Sequence, residues 1–222
     1  MPMLIGAAEA TLAGDWPQWG GPDPGRNMVS PETGLPVSFQ PGEKSPQGSG
    51  ILAGTTEHVR WAVRLGSYIY GNPTVAAGRV FVGTDDSILR GDARLQPTKG
   101  GMVQCLDEAT GRVWWRLATP NRGKDRLPPE AHYGQQHCGT CSSPAVAGKR
   151  AYVLSSACEI VCLDVDGLAN GNDGPFHDEG RYLAGSGKPP VPLQPDDADI
   201  LWLCDLVNEL GVCPHDVASC SV

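Results

Sequence analysis

Two stretches of the chain carry one hydrophobic pattern. Residues 72–82 (NPTVAAGRVFV) and 143–153 (SPAVAGKRAYV) align without a gap, placing Pro73 over Pro144, Val75 over Val146, Arg79 over Arg150, Phe81 over Tyr152 and Val82 over Val153. In each, a short apolar segment, a turn of Ala, Gly or Lys and a second apolar segment predict a β-hairpin. A further shared piece follows, VQCLDEATGRVWW at 103–115 and IVCLDVDG at 160–167, in which Cys105-Leu106-Asp107 matches Cys162-Leu163-Asp164. In the first copy a tight turn through Asp107, Thr110 and Gly111 leads to Trp115. In the second the turn widens over 166–198 before DILWLCDL at 199–206 supplies Trp202. Each copy therefore predicts a four-stranded antiparallel meander, over 72–117 and 143–206, a unit that buries its faces only against neighbours. VRWAVRLG at 59–66 reads as the last strand of a preceding unit, and 213–222, ending Cys220-Ser221-Val222, as the start of a following one.

Composition narrows the class. The chain of 222 residues holds 29 glycines and 20 prolines, which leaves few windows for a 3.6-residue period and predicts an all-β, turn-rich fold. A net charge of −8 argues against nucleic-acid binding through a basic surface. No run of about 18 apolar residues is present, so no transmembrane helix is expected. Residues 1–14 end in small residues like the remnant of an export signal, although they lack a basic start and carry Glu9; residues 15–58 form an N-terminal extension.

The turn Asp-x-x-Thr-Gly-x-x-x-Trp resembles the repeats of pyrroloquinoline-quinone-like (PQQ-like) β-propellers. Asp107, Thr110, Gly111 and Trp115 match that family's tryptophan-docking motif, with Cys105 in place of its alanine and Arg112 in place of its lysine. Cys162 and Asp164 match in the second unit, where the Thr-Gly step is lost to the insertion. The opening GDWPQWGGPDPGRNMVSPETGLP and the later DVDGLANGNDGPFHDEG also look like exported PQQ-like repeat proteins of planctomycete-type bacteria. The resemblance covers roughly residues 59–222 and implies a partial β-propeller, an incomplete ring forming the N-terminal piece of a larger one of about six to eight blades. The same fold serves BamB-type outer-membrane assembly lipoproteins and quinoprotein alcohol dehydrogenases, so fold does not choose the function. Asp107, Thr110, Gly111, Trp115, Asp164 and Trp202 are read as structural docking residues: Asp and Thr close the turn, Gly supplies a positive φ, and Trp offers a large face to the next unit.

No catalytic residue is named. Cys138-x-x-Cys141 and Cys158-x-x-x-Cys162, with His132 and His137 upstream, approach zinc-ribbon spacing. The repeat argues against zinc, because Cys162 takes the place of Cys105, and an extended 158–162 separates its ends by about 13 Å at roughly 3.3 Å per residue. Disulfides Cys138–Cys141 and Cys204–Cys213 are open alternatives in an oxidising compartment. The loop Asp164–Gly174 offers oxygen ligands suited to calcium but misses the EF-hand pattern, since Leu168 stands where a ligand belongs if the loop starts at Asp166; Asx-rich turns also form without metal. Glu130, Asp178 and Glu179 lie in insertions and read as solvated surface. Motifs for Ser hydrolases, zinc peptidases and phosphate-binding loops are absent. The expected function is an exported, periplasmic, non-catalytic binding or assembly scaffold. Its partners would be other envelope proteins or a small ligand in the propeller funnel, held by loops 83–102, 118–140 and 166–198. The alternative implied by the resemblance is the N-terminal part of a quinone- and calcium-dependent alcohol or sugar dehydrogenase.

Overall fold

The structure, a computed structural model, describes residues 14–22, 26–48, 50–52, 54–122 and 137–222. Residues 1–13 of the expected export segment, together with Glu130 and His132, lie outside them. Two four-stranded antiparallel sheets form, as the paired hairpin pattern predicts. The first sheet orders β1 (Thr74–Ala76), β2 (Arg79–Asp85), β3 (Gly101–Asp107) and β4 (Val113–Thr119). The second orders β5 (Ala145–Ala147), β6 (Arg150–Leu154), β7 (Glu159–Asp164) and β8 (Ile200–Asp205). Two short helices accompany the second sheet, α1 (Glu179–Ala184) inside the insertion and α2 (Leu206–Leu210) directly after β8. Among the described residues no helix is long and apolar enough to cross a membrane.

The two sheets share one register. Phe81 pairs with Cys105 and Cys105 with Trp115; Tyr152 pairs with Cys162 and Cys162 with Trp202. Each ladder shifts register just after its cysteine, between Cys105 and Leu106 and between Cys162 and Leu163. The ring pairs across the ladder match as well: Phe81–Trp115 at 5.9 Å and 56°, Tyr152–Trp202 at 6.2 Å and 52°. Because side chains alternate with period two, an equivalent register puts equivalent residues on the same face in both sheets. The main core lies between the sheets and joins Phe81, Val103, Cys105, Trp115 and Leu117 to Ala151, Val153, Val161, Leu163 and Ile200.

Backbone hydrogen bonds stitch the sheets at two places. Trp16 exchanges both backbone bonds with Val75 (2.7 and 2.9 Å), and the neighbouring Pro17 carbonyl accepts from the amide of Val146 on β5. At the β4 edge, Arg116 donates to the Asp196 carbonyl and accepts from the Ala198 amide, each at 3.0 Å, in a short parallel bridge. The N-terminal extension is thus in part a component of both sheets.

Two expected strands are absent. Residues 59–66 run without a ladder, and Trp61 is held through its side chain instead, its indole N–H donating to the Glu108 carbonyl at 2.7 Å. Residues 213–222 contain no strand; Ala218 packs there against Leu154 and Cys158. An apolar pattern can specify a buried face without an available edge to pair with, and both segments are held by side-chain packing of that kind.

Candidate functional site

The Asp turns show how the sequence builds its inter-sheet contacts. In the first unit the Asp107 carboxylate accepts from the Thr110 hydroxyl (2.6 Å) and amide (2.8 Å), bonds that favour its charged form and hold its pKa below the usual carboxylate value. Gly111 has φ +73°, and a Cβ there would stand 2.7 Å from the Trp61 ring. The second unit repeats the contact with the next tryptophan. Trp115, 0% exposed, donates its indole N–H to the Val165 carbonyl at 2.9 Å, one residue beyond Asp164, and lies on Gly167, whose added Cβ would meet its ring at 2.6 Å. Trp202, at the register position of Trp115, is 38% exposed and meets Tyr152. The positive φ and the ring contact act together at Gly111, so Gly111→Ala should lower stability by about 1–3 kcal/mol in urea denaturation.

Asp164 has lost the Thr partner that Asp107 keeps. One of its oxygens accepts from the Asp166 amide at 2.7 Å, and oxygens of Asp164, Asp173 and Asp199 lie within 4.8 Å of one another. Asp199 stands at the start of β8 and is fully buried, accepting the Asp173 amide at 2.9 Å. Burial first, and then the charges of Glu179 and Asp164, push its carboxyl up to about 6 against the opposing pull of that amide. Glu179, expected on the surface, is fully buried on the first turn of α1 and accepts from Asn172 at 3.0 Å. Asp178 beside it is exposed, as expected. Gly174, with φ +79°, seats the loop on β8, where a Cβ would stand 2.7 Å from the Leu201 carbonyl oxygen.

One turn along α1, Tyr182 closes a second polar cluster. Its hydroxyl donates to Glu159 at 2.7 Å, Ser155 donates to the same oxygen at 3.1 Å, and the Arg122 guanidinium lies 4.5 Å over the Tyr182 ring. Burial, then the neighbouring Glu159 charge, raise the Tyr182 phenol, which keeps its proton for that bond. Arg122, Glu159 and Tyr182 line a cleft of about 320 Å³ together with Phe176, Leu203 and Asn208.

The cysteines separate. Cys105 and Cys162 are buried strand residues, and burial pushes the Cys105 thiol up to about 12, so it stays a protonated, small apolar group. Cys158 ends the turn before β7 with φ +58°, and the extended strand Glu159–Asp164 carries Cys162. No disulfide joins Cys138 to Cys141 or Cys204 to Cys213. Sequence reasoning missed Asp199, Glu179 and the Arg94–Asp197 pair, in which both guanidinium nitrogens reach the carboxylate at 2.6 and 2.7 Å. No protein-family model matches the chain, and no curated protein matches it.

Proposed function

We propose that the two sheets are blades of a PQQ-like β-propeller and that the protein is an exported, non-catalytic binding or assembly scaffold. The observation that carries this reading is the repeated use of one contact. Trp61 and Trp115 each donate to the carbonyl that follows the motif aspartate of the next unit, and each rests on a glycine of positive φ. A motif spent on packing units together is a structural device, and the long insertions it leaves at the edges are where ligands are met on rigid repeats. The cleft of Arg122, Glu159 and Tyr182 offers a charged and aromatic lining at one such edge, suited to a polar ligand or a partner's loop. Export rests on the resemblance of the opening and insertion sequences.

The test is calorimetric titration of pyrroloquinoline quinone into the full-length protein already saturated with calcium, alongside an alcohol- and sugar-oxidation assay. The scaffold reading expects no quinone binding and no oxidation. One-site micromolar binding with turnover would replace it with the quinoprotein dehydrogenase.

A further inference from the structure

We propose that Asp164, Asp173, Asp199 and Glu179 form a calcium site that pins the 166–198 insertion to the second sheet. Asp164 at the end of β7, Asp173 in the loop and Asp199 just before β8 bring carboxylate oxygens within 4.8 Å of one another, and Glu179 joins from α1, tied to the loop through Asn172. Internal hydrogen bonds use only part of them. Asp199 Oδ2 takes the Asp173 amide, Glu179 Oε2 takes Asn172, and Asp164 Oδ1 takes the Asp166 amide. What remains is the signal: Asp199 Oδ1 and Glu179 Oε1 are buried without a hydrogen-bond partner, on side chains that are both 0% exposed. No lysine or arginine among the described residues makes an ion pair with any of the four. Leaving such groups unpaired in the interior costs several kcal/mol, and a cation is the partner that satisfies several carboxylates at once.

Geometry and donor chemistry select the ion. Two ligands on opposite sides of calcium, each at about 2.3–2.6 Å, stand about 5 Å apart, which accommodates the 4.8 Å limit of the aspartate oxygens. The donors are all carboxylate oxygen, the hard set of calcium rather than of zinc. Magnesium keeps most of its waters and takes one or two carboxylates, so three clustered aspartates favour calcium. The loop is already seated for this, because Gly174 lies on the backbone of Leu201. The first unit provides the internal contrast: Thr110 satisfies Asp107 there, and among the described residues no such cluster forms around it.

The experiment uses the full chain with calcium chloride as the only added probe. Equilibrium dialysis at pH 7.5 should give one calcium per chain, and thermal unfolding should shift up by about 4 °C or more between EDTA and 1 mM calcium. Magnesium at the same concentration should give less than about a third of that shift. Asp199→Asn should abolish both binding and shift; Asp173→Asn, on an exposed loop residue that folding tolerates, should do the same if Asp199→Asn fails to fold. Limited proteolysis should cut within 166–198 in EDTA and spare it in calcium. Equal unfolding temperatures in EDTA and calcium, or a calcium shift retained in Asp173→Asn, would overturn the site. Neither result depends on whether quinone binds, so the two proposals fail separately.

Discussion

Trp115→Ala is expected to destabilise the protein by about 3–5 kcal/mol. Three contributions coincide at this residue. The ring is fully buried between the sheets and meets Phe81 at 5.9 Å, so truncation leaves a cavity that the flanking strands cannot collapse around. The indole N–H bond to the Val165 carbonyl disappears, leaving that acceptor unpaired in the interior. Gly167, whose bare backbone accommodates the ring, loses the surface it fits. Trp115→Phe separates these effects: it keeps most of the apolar area but forfeits the hydrogen bond, and should cost about 1–2 kcal/mol. Urea denaturation followed by the remaining tryptophans reads both. Equal losses for the two variants would place the whole effect on the hydrogen bond and refute the packing account.

Arg94→Ala should cost about 3–5 kcal/mol, because it strands a buried anion. Arg94 reaches from the insertion between β2 and β3 to Asp197, which is 1% exposed, and it also donates to the Pro192 carbonyl at 2.8 Å. Asp197 in turn accepts the Gln194 amide at 2.8 Å and sits in the segment bridged to β4. Losing the guanidinium therefore loosens the seam between the two sheets as well as the pair itself. Replacing both partners by apolar residues, Arg94→Met with Asp197→Leu, should recover most of the stability, since two neutral groups need no compensation. A double variant as unstable as Arg94→Ala alone would show that the hydrogen bonds to Pro192 and Gln194 dominate.

The hairpins were legible in the sequence because a strand's period of two leaves its mark on adjacent residues. The strands found at Thr74–Asp85 and Ala145–Leu154 fall where the aligned repeats put them, with their turns at the expected small residues. The motif that carries Trp115 is local too, and the ring lies buried with its indole N–H on the Val165 carbonyl. The acidic cluster was not. Asp173 lies in the Asp/Asn-rich loop that drew attention, but Asp199 and Glu179 enter from β8 and α1, and only the folded path of the insertion brings them together. Glu179 reads as surface in a polar, glycine-rich stretch, yet the first turn of α1 turns it inward. Residues 59–66 failed in the opposite sense, for the pattern there announces a buried tryptophan and says nothing about whether a strand edge is free to receive its backbone.

The bonds from Trp16 and Pro17 have a consequence for the order in which the molecule forms. Each hairpin can close within its own stretch of chain, whereas the Pro17 carbonyl must wait for the amide of Val146, roughly 130 residues later, about 6–26 s at synthesis rates of about 5–20 residues per second. Contacts of such separation bear the greatest loop-closure entropy and form last. Trp16 can therefore cover the β1 edge as soon as Val75 is in place, and the Pro17 bond to β5 locks the pair of sheets as a final step.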